Sequence, residues 1–172
     1  MSPSDELFVA LYDELHRLAD NQLRRLGTDL TIGTTTLLHE AYLNLAGRDA
    51  VSFPDQSRFL AYAARAMRSI VIDYARRGQT RKRGGGEFEI TLNDSLAVAG
   101  RANDVGELER LSLALDELAV LEPELAQLVD LHFFCGYSLP EIAGMRRVSE
   151  RTAQRDWRKA RLLLQHALDD LN

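Results

Sequence analysis

Residues 136–161 read GYSLPEIAGMRRVSERTAQRDWRKAR, a stretch that predicts helix, tight turn, helix. Ser138 and Pro140 supply the start signal of the first helix, which carries Leu139, Ile142, Ala143 and Met145. A short turn is expected at Arg146 to Val148. Arg147 stands there where such turns often carry glycine, so a loosely folded backbone is expected. Ser149 is a good N-cap for the second helix, because its hydroxyl can accept from a backbone N–H one turn on.

From Ser149 onward a 3.6-residue period separates two faces. Ala153, Trp157, Ala160 and Leu164 share the side that can pack, and Trp157 is assigned to the core. Arg151, Arg155 and Arg158 share the other side, flanked by Gln154 and Lys159. Between Arg146 and Arg161 stand seven basic residues against Glu150 and Asp156, in a chain whose net charge is −5. A short helix with a buried seam and a row of arginines suits the DNA major groove. Guanidinium groups can bind phosphate or fork onto guanine O6 and N7. A solvated charged face on a core helix would give the same pattern.

The 172 residues, 45% of them hydrophobic, suffice for one domain or two small ones. Two lobes of that size would each be marginally stable. No run is apolar enough to span a bilayer and no signal peptide opens the chain, so no membrane insertion is expected. Cys135, the single cysteine, reads as a small core residue of a cytoplasmic, reducing compartment. Charge is unevenly spread: residues 1–86 hold 12 bases and 10 acids, whereas 87–107 hold one base and five acids. Residues 108–172 hold eight bases and 11 acids. Nucleic-acid binding must therefore come from local patches.

The rest of the chain is also helical in period. Ser4 to Leu26 places Leu7, Leu11, Leu15, Leu18 and Leu23 broadly on one side, with Gly27 as a stop. Thr28 to Thr36 is expected to be a loop or a frayed helix start, and Leu37 to Ala46 a helix. After a loop carrying Phe53 and Pro54, a long helix is expected from Ser57 to about Arg77. Phe59, Ala63, Ala66, Met67, Ile70 and Tyr74 form its packing face; Arg58, Tyr62, Arg65, Ser69 and Arg76 form the opposite one. Bases interleaved with an aromatic suit a nucleic-acid backbone track, although a solvated face would look alike. The basic, glycine-rich run 76–86 then starts a linker, followed by helices at Leu108 to Leu121 and from Pro123 to Gly136. The fold class expected is all-α: two small helical domains, 1–83 and 108–172, joined by a flexible linker over 84–107.

Two segments now resemble one family. LLHEAYLNLAG with SRFLAYAARAMRSIVIDYARR resembles region 2 of extracytoplasmic-function (ECF) sigma factors, and FFCGYSLPEIAGMRRVSERTAQRDWRKARLLL resembles their region 4. Their order and the intervening linker agree as well. The resemblance implies that core RNA polymerase and promoter DNA are the partners, with no cofactor, no metal and no chemistry of its own. It further implies that the loop 47–56 captures a flipped base of the −10 element. Arg58, Arg65 and Arg68 would hold backbone phosphates, with Tyr62 a stacking platform. Arg151, Gln154 and Arg155 would meet base edges of the −35 element, while Arg147, Arg158 and Lys159 position the helix on phosphates.

One departure from the family is informative. Where ordinary members carry an acidic cluster that helps dock the polymerase clamp, this chain has Gly33, Thr34, Thr35 and Thr36, shortly before Glu40. It resembles there a subset associated with Ser/Thr kinases. A phosphothreonine, Thr35 first, would restore the charge, adding about −1.5 to −2 ahead of a helix. Thr36 could instead merely cap that helix. A Ser/Thr kinase and an anti-sigma factor are thus candidate partners. Two rivals stand beside this: a helix-turn-helix regulator that never engages polymerase, and an enzyme. His16, His39, His132 and His166 are dispersed, and no phosphate loop or nucleophile elbow is present. His39 and His132 are expected to be partly buried structural residues.

Overall fold

The computed structural model describes residues 3–26, 32–46, 55–79 and 105–170. All regular structure among them is helical: α1 (Pro3–Ala10), α2 (Tyr12–Leu26), α3 (Thr34–Ala46), α4 (Gln56–Gln79), α5 (Val105–Leu121), α6 (Pro123–Val129), α7 (Leu139–Arg146) and α8 (Glu150–Asp170). A π-helical turn, Asp130–Phe134, continues α6. The expected all-α class is observed. Residues 47–54 of the base-capturing loop and residues 84–104 of the expected linker lie outside the described residues.

Several boundaries move, each for a local reason. The expected helix from Ser4 is divided at Leu11 into α1 and α2, although its ladder persists through Leu11 N–H to Leu7 O and Leu15 N–H to Leu11 O. Of the two alternatives expected for Thr28 to Thr36, Thr34 to Thr36 take the helix start, forming the first turn of α3, with Leu37 N–H bonding Gly33 O at 3.0 Å. Burial of Leu37, Leu38 and Ala41 outweighs the weak helix preference of the threonines. The long helix starts at Gln56, because Asp55 is its cap: the carboxylate accepts from Arg58 N–H at 2.9 Å and from the Ser57 hydroxyl at 2.8 Å. α5 begins at Val105, three residues before the expected Leu108.

α4 is the centre of the structure. Phe59, Ala63, Met67 and Ile70 are buried as expected, but so are Leu60, Ala61, Ala64, Val71 and Ile72. The helix is thus covered on more than one side, by α2 and α3 and also by α5 and the π-helical turn. One continuous core joins Leu15, Leu18, Leu38 and Met67 to Leu111, Leu115, Phe134 and Trp157.

Polar contacts also join α2 to the segment that follows the π-helical turn. Asn21 donates to Cys135 O at 2.7 Å, and Tyr137 donates its hydroxyl hydrogen bond to Glu14. Gly136 has φ +82°, and a Cβ there would come within 3.1 Å of the Asn21 amide. The left-handed backbone favours glycine at the point where α2 approaches, and a side chain there would also press on the Asn21 amide. Cys135 is fully buried, and burial pushes its thiol well above its ordinary pKa.

Candidate nucleic-acid interface

The segment that displays α8 is locally over-determined. Ser138 and Glu141 form a reciprocal capping box at the start of α7. Ser149 accepts from Thr152 N–H at 3.1 Å and opens α8 as expected. Between them the turn is tighter than expected. Arg147 adopts a left-handed conformation, φ 58° and ψ 43°. Its neighbour's N–H, on Val148, bonds Ala143 O at 3.0 Å, and Arg147 N–H bonds Gly144 O at 3.4 Å. A non-glycine residue accepts this conformation at about 1–2 kcal/mol.

α8 then separates its faces as its period demands. Ala153, Trp157, Ala160 and Leu164 are buried, and Trp157 meets the His132 ring edge-on at 4.6 Å. Arg147, Arg151, Gln154, Arg155, Arg158 and Lys159 are all exposed. Arg155 lies 4.0 Å from Asp156, and Lys159 reaches Glu122 at 3.3 Å. Arg146 is turned inward, donating to Glu124 O at 2.9 Å, and burial lowers its pKa. The result is a helix presenting cations and one amide to solvent, which can meet phosphates and base edges together.

The arginines of α4 are differently placed. Arg58 reaches Glu124 of α6 at 3.5 Å, Arg65 reaches Asp116 of α5 at 3.1 Å, and Arg76 reaches Glu109 of α5 at 2.6 Å. Each of these three side chains is about half exposed. Arg68 is not on that surface: it is 2% exposed, 3.4 Å from Asp130 and 3.7 Å from Asp116, with its guanidinium over the Phe134 ring. In this arrangement Arg68 cannot reach a phosphate, because the π-helical turn covers it. Its Nε and Nη1, like Asp130 Oδ1, make no hydrogen bond. Burial outweighs the arginine and raises the Asp130 carboxyl above its ordinary pKa. Tyr62 is half-buried against the core.

At the start of α3, Thr35 and Thr36 are exposed, whereas Thr34 is half-buried with its hydroxyl 3.4 Å from Asp20. No acid lies in that first turn. Glu40 accepts from the Tyr74 hydroxyl at 2.6 Å, joining α3 to α4. His132 is buried, its Nδ1 2.6 Å from Tyr137 O, as a structural residue should be; His39 is exposed, contrary to expectation. Among the described residues no cluster of His, Cys, Asp and Glu could hold a metal, and no helix is long and apolar enough to cross a membrane.

The carboxylates facing α4 were missed by reasoning from sequence. A signal existed: Glu109 and Asp116 are seven residues apart, two turns of one helix face. Arg58 and Arg65 have the same spacing. Comparison with known proteins completes the picture. A family model described as ECF sigma factor matches residues 2–170, nearly the whole chain. No curated protein and no solved structure matches it.

Proposed function

The chain belongs to the ECF sigma factor family, and on that premise we propose a division of labour between its two ends. Members of this family bind core RNA polymerase and promoter DNA, as regulators of transcription rather than as enzymes. In the proposal, residues 1–83 engage the polymerase clamp and the −10 element, 84–107 link, and 108–172 read the −35 element. Arg151, Gln154 and Arg155 meet base edges; Arg147, Arg158 and Lys159 hold phosphates. Arg58 and Arg65 track the non-template strand beside Tyr62, and Arg68 joins them only if α4 is uncovered. The exposed row on α8, held over a fully buried seam, is the single observation that carries this reading.

The threonines supply the regulatory half of the proposal. Thr34, Thr35 and Thr36 occupy the first turn of α3, where a phosphate would complement the positive end of the helix dipole. Asp20 stands against Thr34 and would repel a phosphate there, which favours the exposed Thr35. A Ser/Thr kinase would then license clamp docking near Glu40, and an anti-sigma factor would oppose it.

Run-off transcription with purified core polymerase tests the function, since a helix-turn-helix regulator that never engages polymerase gives no promoter-specific transcript. Adding a Ser/Thr kinase should increase the transcript. Thr35→Glu should bind polymerase more tightly than Thr35→Ala; equal affinity would remove the switch.

A further inference from the structure

We propose that Tyr74 is a positioning residue for polymerase binding: from α4 it holds the Glu40 carboxylate of α3, so that a basic side chain of the polymerase clamp meets that carboxylate already oriented. The inference rests on the reading that residues 1–83 engage the clamp. Glu40 is the only acid of α3, TTTLLHEAYLNLA, whose first turn carries none. In the unmodified chain, any charge-assisted contact from α3 to a cationic partner therefore falls to this residue. Glu40 is half-buried at the border of the helix: Leu37, Leu38 and Ala41 are buried, whereas Thr36, His39 and Leu43 are exposed. Thr36, Glu40 and Leu43 follow one another about one turn apart, so a surface docking on the outward side of α3 meets all three.

The hydroxyl that holds Glu40 is itself well fixed. Tyr74 packs half-buried against the core, and Arg77 places its guanidinium over the ring, 5.0 Å from the centroid. The Tyr74 hydroxyl donates to Glu40 Oε1 at 2.6 Å, a length that belongs to a charge-assisted bond onto a carboxylate. The same bond raises the phenol above its ordinary pKa, which keeps the hydroxyl a donor. A free glutamate side chain loses rotamer freedom when a partner captures it. One already held loses less, and the difference appears as affinity. The carboxylate keeps acceptor sites for a guanidinium or an ammonium beside the one that Tyr74 occupies. The contact also ties the docking helix α3 to the helix that carries Arg58 and Arg65.

The test titrates the full chain with core polymerase, in the wild-type and Thr35→Glu backgrounds. Tyr74→Phe removes the hydroxyl and keeps the ring. It should weaken polymerase binding roughly three- to tenfold, the effect of one pre-oriented side chain. Glu40→Ala should weaken binding at least as much. Adding Tyr74→Phe to Glu40→Ala should then change affinity by less than about twofold, because the hydroxyl acts only through the carboxylate. Glu40→Asp keeps the charge but shortens the reach to Tyr74, and should lose affinity as Tyr74→Phe does. A bond that serves stability alone would couple the two residues in thermal unfolding and leave polymerase affinity unmoved. Wild-type affinity in Tyr74→Phe or in Glu40→Ala, or losses that add in the double variant, overturns the positioning role while polymerase binding by the parent chain stands. Failure of both parent backgrounds to bind polymerase overturns the sigma-factor reading, and this inference with it.

Discussion

α4 and α8 each carry a row of arginines at helical spacing over an apolar seam, yet the two rows meet opposite fates. Arg151 and Arg158 on α8, and Arg147 in the turn before it, are exposed, and no ion pair among the described residues engages them. On α4, Arg58, Arg65 and Arg76 are paired with carboxylates of α5 and α6, and Arg68 is buried outright. The difference is one of surroundings. α8 packs by one face onto α5, α6 and α7, whereas α4 is enclosed by helices from both ends of the chain. An arginine row is available only where nothing acidic folds onto it.

Substitutions can break this contrast in order of size. Asp130→Ala leaves the Arg68 charge buried with only Asp116 nearby, and should cost about 3–5 kcal/mol in denaturant unfolding. Arg151→Ala, its counterpart on the open row, should change stability by less than ~0.5 kcal/mol. It should instead weaken binding to promoter duplex; a loss in stability as large as that of Asp130→Ala would erase the distinction.

Arg147→Gly relieves a left-handed residue while removing a cation, so stability and binding should separate. Thermal unfolding should show a gain of about 1 kcal/mol. Duplex affinity should fall, with a salt slope shallower by about 1 if Arg147 contacts phosphate. Arg65→Ala removes only an exposed pair and should cost less than ~1 kcal/mol.

The smallest effect is expected from pH. The Arg58 N–H and the Ser57 hydroxyl hold the Asp55 carboxyl below its ordinary value. A depressed carboxylate contributes stability above its unfolded pKa of about 3.9, and that contribution disappears as pH falls through the folded value. The unfolding midpoint should therefore lose this share only below about pH 4. Asp55→Asn, which can still cap α4, should flatten that part of the profile.

How much was legible follows the same division. The start signals at Ser138 and Ser149 lie within three residues of the groups they bond, and Ala153, Trp157, Ala160 and Leu164 keep a clean period. α4 instead carries Leu60, Ala61, Ala64, Val71 and Ile72 outside its expected packing face. Apolar residues almost all round a helix mark one buried on several sides, a reading its arginines obscured. The π-helical turn has no comparable local signature; its packing against α2 and α4, with Asp130 on Arg68 and His132 on Trp157, accounts for the burial of Asp130 and His132.

By itself the sequence determined the helices, their caps and the face of α8 that turns outward, because those depend on neighbours within a turn or two. Tertiary structure alone decided which arginines are free. Arg58, Arg65 and Arg76 meet acids 66, 51 and 33 residues away in the chain. Coulomb attraction follows distance through space, and no local pattern records which distant carboxylate the fold will bring near.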